Sequence, residues 1–453
     1  MATTAVPESK AAYEKKGPLD RFLGLFADVH AGEGTTALLL MLNVFLILAG
    51  YYLLKTIREP LILASAGGAE AKSYSAAAIA ALLIVLVPAY SALASRVSRV
   101  RLINGVTLFF IVCLVVFFLL SQAKVDIGIP FFIWVGIFNL MIIAQLWAFA
   151  NDVYTVDQGK RLFAIVGVGA SLGAIAGSFF TGKLVSVYGP YPFMIAAAVL
   201  LVLCMGITNL VDRRERSQDK DAPGVTEGDL QAHEPVKGRS GFALVFADRY
   251  LLLIAVLMLV YNLVNTTGEY ILGKTVVSLY SASHAGLTGG MDEKKVIGEF
   301  YGNYFTWVNI ISAAIQAFLV SRILKYFGVR AALLVLPIVA FGGYLTMAFV
   351  PLLALIRGVK IAENSLDYSV QSTTKNALYL PTSREAKYKA KQANDTFFVR
   401  FGDVISAGLV FAGTTWLHFA PRQFALANVV LIVLWIAVAI AIGRRFTKLS
   451  HTT

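Results

Sequence analysis

The sequence predicts an all-α membrane protein, with twelve transmembrane helices in two pseudo-symmetric six-helix bundles. Three observations lead there. Apolar residues make up 58% of the 453 and charged residues only 15%, where soluble domains carry about a quarter charged. Uncharged runs close to the roughly 20 residues that a bilayer requires recur along most of the chain, for instance at 36–54, 102–122 and 424–442. Landmarks of the first half also return, in order, in the second.

The runs are continuous rather than alternating, which excludes a transmembrane β-barrel. Spans are expected at 36–57, 74–95, 102–122, 129–152, 162–184, 190–211, 248–274, 301–324, 329–350, 352–380, 394–418 and 422–443. A polar stretch with Pro223 and several glycines separates the sixth from the seventh. The expected divisions are a cytoplasmic N-terminal segment (1–35), an N-terminal bundle (36–211), a cytoplasmic linker (212–247), a C-terminal bundle (248–443) and a cytoplasmic tail (444–453). The N-terminus shows no short apolar core followed by a cleavage site, so no signal peptide is read.

The net charge of +12 would point to nucleic acid in a soluble protein. Here the excess sits in alternate connections, such as Arg96, Arg99 and Arg101, then Lys160 and Arg161, then Arg213, Arg214 and Arg216. Such bias sets topology and places both termini in the cytoplasm; no nucleic-acid partner is expected. The two cysteines, Cys113 and Cys204, fall in apolar runs and imply no disulfide framework.

The repeated landmarks are three. Lys55-Thr56-Ile57-Arg58-Glu59 ends span one as Asn265-Thr266-Thr267-Gly268-Glu269 ends span seven. Ser95-Arg96-Val97 matches Ser321-Arg322-Ile323, and Asn151-Asp152-Val153-Tyr154 matches Asn376-Ala377-Leu378-Tyr379. Parallel six-helix halves describe the major facilitator architecture, whose substrate site lies near the midplane between the halves.

Charge inside hydrocarbon is expensive and marks function by default. In span ten, Arg357, Lys360, Asn364, Asp367, Gln371 and Lys375 recur at helical spacing and form one polar face. Span one adds Lys55, Arg58 and Glu59, span seven Asn265, Glu269 and Lys274, and span eleven Arg400 and Asp403. Cations outnumber acids in this set, which favours an anionic substrate, with arginine suited to bidentate phosphate or carboxylate contact. Candidate substrate contacts are Lys55, Arg58, Asn265, Glu269, Arg357, Lys360, Asp367 and Lys375. Candidate gating or ion-pairing residues are Glu59, Asp152, Glu363, Arg400 and Asp403. Pairs are expected for Lys55 with Glu59, Lys360 with Glu363 and Arg400 with Asp403. Lys274 is expected to snorkel toward the surface. Gly169, Gly173 and Gly177 in span five are a close-packing motif, and the run around them is no phosphate loop, since it lacks the Gly-Lys-Ser/Thr ending and follows no strand. No catalytic constellation, metal-ligand cluster or cofactor motif stands out, and no enzyme is expected.

Three stretches resemble the nucleotide (ATP/ADP) translocases of plastids and intracellular bacteria, and their relatives in free-living bacteria. They are Leu54-Lys55-Thr56-Ile57-Arg58-Glu59-Pro60-Leu61-Ile62, the segment from Trp147-Ala148-Phe149-Ala150-Asn151-Asp152-Val153-Tyr154 through Gly159-Lys160-Arg161 to Gly173, and Asp367-Tyr368-Ser369 through Lys375-Asn376-Ala377-Leu378-Tyr379. The resemblance implies a major-facilitator-like fold and exchange of nucleoside phosphates. It also implies a membrane lysine in span one, for which Arg58 is the matching basic position with Lys55 beside it. Two positions depart from the family pattern. Its acid in span four is absent here, where Asn139 and Gln145 stand, and its acid in span seven is replaced by Asn265, with Glu269 one turn away.

The function expected is a secondary carrier, monomeric and in the bacterial inner membrane, for a small anion such as ATP and ADP or another phosphorylated metabolite. The alternative is a proton-coupled major facilitator symporter or exporter of another solute, with Glu269 or Asp367 carrying the proton. A transport-inactive membrane scaffold is disfavoured, because it would not need so much intramembrane charge.

Overall fold

The computed structural model describes residues 17–24, 28–65, 67–94, 96–154, 156–218, 240–283, 290–383 and 385–450. Among these residues the regular structure is helical, with no strand. A short α1 (Pro18–Leu23) precedes six long helices: α2 (Glu33–Leu63), α3 (Gly68–Ala94), α4 (Arg99–Gln122), α5 (Gly128–Val153), α6 (Val156–Tyr188) and α7 (Pro192–Gln218). The second half opens with α8 (Gly241–Ala247) and continues through α9 (Arg249–Ser283), α10 (Met291–Phe318), α11 (Val320–Phe349) and α12 (Leu353–Leu366). A π-helical segment, Asp367–Gln371, carries α12 into α13 (Ser372–Ala377). The next span opens with a π-helical segment, Ala386–Ala390, joins α14 (Lys391–Ala393) to α15 (Val399–Phe411) through another, Asn394–Phe398, and ends in a third, Ala412–Trp416. The last helix is α16 (Pro421–Ser450).

Ten of the described helices are long and apolar enough to cross a bilayer. The two remaining span positions are α10 and α12–α13. The crossing part of α10, 301–318, is uncharged but holds Asn303, Asn309 and Gln316, and α12–α13 carries the polar stripe, so composition alone hides both. Consecutive long helices run up and down. The chain enters α2 and leaves α16 at one end of the bundle, the terminal end; α2 and α9 finish at the opposite, far end.

Several edges differ from expectation. The polar run 276–298, expected as a long loop, is helical over 276–283 and 291–298. Asp292 and Glu293 suit the positive N-terminal end of α10, so acidity there extends the helix instead of breaking it. Helix α7 likewise continues past 211 to Gln218. Within α11, Gly328 (φ 73°) breaks the helix, a left-handed conformation that glycine adopts without a Cβ penalty. The membrane-crossing part of α11 thus begins near the expected 329.

The small-residue motif of α6 seats this helix against α2. A Cβ added at Gly169, Gly173 or Gly177 would meet the carbonyl oxygens of Met41, Phe45 and Ala49 at 2.3, 2.3 and 2.4 Å. Only glycine permits that approach. Polar braces complete each half. Asn43 donates to Thr208 Oγ1 (3.0 Å) and Arg161 grips Glu33 through two bonds in the first half. In the second, Asn262, Thr266 and Arg400 all bond Asp403.

The halves meet chiefly along α6 and α10, and where α3 lies against α9 and α15. At the far end Lys274 pairs with Glu70 (2.6 Å), Tyr270 donates to the same carboxylate (2.9 Å), and Lys294 bonds Tyr191 (3.0 Å). Deeper, Asn309 donates to the Ala174 carbonyl (3.2 Å). Lys55 also donates to Tyr368 across the seam.

Candidate functional site

The predicted charges of spans one, seven and ten converge where the halves meet. Lys360 of α12 is fully buried. Its Nζ lies 2.9 Å from Glu363 Oε2, one turn along the same helix, and 3.6 Å from Glu269 Oε1 on α9. It also donates to Asn265 Oδ1 at 2.9 Å. The other oxygen of Glu269 is 3.4 Å from Lys72 Nζ on α3. Lys72 is held in turn by Glu59 of α2 at 2.7 Å, and Glu59 by Arg58 Nε at 3.1 Å. Six side chains of alternating sign thus form one chain across the seam: Arg58, Glu59, Lys72, Glu269, Lys360 and Glu363.

Neutral donors reinforce the carboxylate oxygens that face Lys360. Asn364 donates to Glu269 Oε1 (3.1 Å) and to Tyr304 Oη (2.7 Å), while Tyr344 donates to Glu363 Oε2 (3.0 Å). Burial of ions is tolerated only when each is paired and hydrogen-bonded in this way, and loss of one partner leaves the other uncompensated.

Lys55 stands apart. It is 7% exposed, and it pairs with no carboxylate among the described residues. Its Nζ donates to Tyr368 Oη at 2.9 Å, reaching from one half to the other. The rings of Phe305, Tyr52, Tyr368 and Tyr51 surround it with centroids at 4.5, 5.0, 5.3 and 5.9 Å. Ring faces attract the ammonium and offset part of its lost hydration, but they leave its full charge unneutralised.

The remaining predicted residues fall as follows. The expected pairs Lys360–Glu363 and Arg400–Asp403 form, the latter at 3.1 Å. The expected Lys55–Glu59 pair does not: Glu59 turns to Arg58 and Lys72, and Lys55 to Tyr368. Asp367 accepts from Tyr261 Oη (2.6 Å), and Lys375 Nζ lies 4.9 Å from that tyrosine's ring centre. Arg357 donates to Asn303 and lies over Phe300 at 5.4 Å. Lys274 does not snorkel freely but pairs with Glu70, lining a crevice of about 490 Å³ at the far surface. Asp152 is in the last turn of α5, and its side chain lies outside the described residues. The polar stripe of α12 therefore packs mainly on α9 and α10 of its own half, and Tyr368, outside the stripe, makes the crossing to Lys55.

Sequence reasoning missed Lys72, Glu70 and Tyr368. Span two was expected to start at 74, which assigned Lys72 to a loop, yet α3 starts at Gly68. The Gly67-Gly68 pair, both with positive φ, was the available signal that the turn ends there.

Residues 21–362 match the model of the Major Facilitator Superfamily, well over half of the chain. The chain belongs to the Major Facilitator Superfamily. Solved transporters of the same fold superpose over nearly the whole chain. A POT family transporter in complex with 5-aminolevulinic acid gives a TM-score of 0.60 at 12% identity, covering 91% of this chain and 96% of its own. The nucleoside transporter NupG gives 0.57 at 14%, covering 89% and 98%. This facilitator chain also has curated sequence relatives. ADP,ATP carrier protein 1 of Chlamydia trachomatis is 23% identical over 363 residues, 69% of this chain and 64% of the relative. The match thus spans under two thirds of that relative's length. ADP,ATP carrier protein 2 of the same organism is 22% identical over 508 aligned positions, covering 94% of this chain and 91% of its own. ADP,ATP carrier protein 1 of Rickettsia bellii is 23% identical over 352, covering 70% and 68%. The protein is a multi-pass membrane protein of facilitator fold.

Proposed function

We propose that this protein exchanges nucleotides of the ATP/ADP type, or closely related phosphorylated anions, by alternating access. The observation that carries the reading is Lys55: a buried ammonium at the seam, unpaired by any described carboxylate and walled by aromatic rings. An anionic phosphate supplies the missing counter-charge, and ring faces of this kind stack a base without reading its sequence. Arg58 is the neighbouring basic group. The names of the Chlamydia and Rickettsia relatives support the same substrate class.

In this reading the termini lie in the cytoplasm, as the loop charges indicate, and the membrane is the bacterial inner membrane. The structure, joined at the far end, then corresponds to an inward-facing state. Phosphate enters from the terminal side, meets Lys55 and Arg58, and draws the halves together there while the far end parts. No covalent chemistry is involved, and no cofactor is needed.

The test is ATP uptake into liposomes carrying the purified protein, with and without ADP inside. Uptake that requires internal ADP, and that falls by about tenfold or more in Lys55→Ala and Arg58→Ala, is expected, because a charged hydrogen bond to phosphate is worth about 1.5–3 kcal/mol. Uptake that ignores internal ADP and follows a pH gradient would replace exchange with proton coupling. Normal uptake by both variants would remove these cations from the site.

A further inference from the structure

Lys72 occupies a position that the exchange reading above does not use. It is buried on α3, with Glu59 at 2.7 Å on its own half and Glu269 at 3.4 Å on the other. Its ammonium also lies 5.4 Å from the ring centre of Tyr301. Among the described residues it is the single cation that an acid of each half shares.

The consequence appears on separating the halves. Lys72 keeps Glu59, the shorter of its two contacts. Glu269 keeps Lys360, 3.6 Å away, but Lys360 must then serve Glu363 as well. The seam charges of the first half are then Arg58, Lys72 and Lys55 against Glu59 and Glu70, and those of the second are Lys360 and Lys274 against Glu269 and Glu363. Parting the far end therefore bares a net positive, anion-seeking face on the first half, while the second is balanced. An anion entering from that side meets Lys72 first in place of Glu269.

Resting on the exchange reading above, we infer that Lys72 is a substrate-contact residue, the cation for which Glu269 and the substrate's phosphate compete. With the far end closed, Glu269 holds it; with the far end open, phosphate does. Closure at the far end requires Lys72 to pass from phosphate back to Glu269, which links that movement to departure of the anion into the cleft. The shared chemistry is a polyphosphate oxygen on a lysine ammonium, a point-charge contact that tolerates different nucleotides.

The experiment uses purified full-length protein in detergent, with Cys113 and Cys204 replaced by serine and Ala69→Cys as reporter. Ala69 is 2% exposed and faces Gly273 across the closed seam, so a bulky maleimide reaches position 69 only when the far end opens. Two quantities are read: labelling rate without ligand, and affinity for ADP. Lys72→Gln is expected to raise labelling severalfold and weaken ADP by about tenfold or more. Glu269→Gln is expected to tighten ADP, because the competitor is gone; a merely structural role for either residue gives no such opposition. Lys72→Arg should keep both properties near the wild type and shows that the site tolerates substitution. Wild-type labelling in Lys72→Gln, or ADP bound as tightly by it as by the wild type, overturns the inference. If the wild type binds no ADP, pyrophosphate is the second probe. Pyrophosphate binding that Lys72→Gln weakens keeps Lys72 as a phosphate contact and retires nucleotides as the cargo. Binding of neither overturns both readings.

Discussion

Helix α6 has two seams, and they are built differently. Toward α2 it presents Gly169, Gly173 and Gly177, each of which would drive a Cβ to within 2.4 Å or less of a carbonyl oxygen. Toward α10 it presents Gly182, where a Cβ on Gly302 would come within 2.2 Å of the Gly182 Cα, together with the bonds from Asn309 to Ala174 and Ser178. The first seam repeats its closest approach on three successive turns. The second has one glycine crossing, flanked by hydrogen bonds that can be exchanged. Packing over several turns resists sliding, because interiors are dense and bistable more than deformable. A single close crossing permits rocking. So α6 is fixed on one side and hinged on the other, as two rigid bundles that move relative to each other require.

The largest expected effect comes from breaking the fixed seam. Gly173→Leu forces a branched side chain onto the Phe45 carbonyl, and the halves of the first bundle part along their length. Overpacking of this kind costs about 1–3 kcal/mol or more, and here it falls on backbone, which has least room to yield. The expected outcome is little or no monodisperse protein on size-exclusion chromatography. Recovery of folded protein with wild-type thermal stability would show that the seam is looser than its geometry. Gly302→Val puts a comparable bulk on the hinge seam. The two halves can each relieve that contact by tilting, so the protein is expected to fold, with unfolding temperature lowered by only about 2–4 °C per kcal/mol lost. The far end should then fail to close. A cysteine at Ala69 is expected to label continuously, and exchange to be lost. Gly302→Val that labels as slowly as the wild type would place the hinge elsewhere.

Much of this could be read from the sequence, and the exceptions share a cause. Continuous apolar runs reveal where helices cross the membrane, and the Gly169–Gly173–Gly177 spacing reveals which face packs closely, because both are local properties of one helix. Lys360–Glu363 and Arg400–Asp403 were legible for the same reason, being one turn apart on a single helix. Partners on different helices were not. Lys55 and Glu59 are also one turn apart, yet each prefers a group from another element: Tyr368 from the other half, and Lys72 from α3. The π-helical segment Asp367–Gln371 had no signature in the spacing of the stripe, although it begins next to the residue that crosses to Lys55. Polar helix extensions, such as the first turns of α10, read as loop because their composition suits water, while their backbone remains helical beyond the hydrocarbon.

The smallest effect expected sharpens the contrast between contacts that hold a half together and contacts that hold the halves to each other. Asp403 is 5% exposed and ties Asn262, Thr266 and Arg400 within the second half. Glu70 ties Lys274 and Tyr270 to the first half, but the Lys274 side chain is 43% exposed. Solvent screens such a pair, and exposed ion pairs contribute about 0–1 kcal/mol. Glu70→Gln keeps an acceptor for Tyr270 and loses only the charge opposite Lys274. Its unfolding temperature is therefore expected within about 4 °C of the wild type, by the same scaling, whereas Asp403→Asn should fall visibly further. Yet Glu70 lies on the moving seam and Asp403 does not. Glu70→Gln should raise labelling at Ala69→Cys about twofold to fivefold, as loss of up to 1 kcal/mol from the closed state dictates, and Asp403→Asn should leave that labelling unchanged in the protein that remains folded. A reversal, with Asp403→Asn opening the far end and Glu70→Gln leaving it shut, would mean that the second half deforms internally during transport instead of moving as one body.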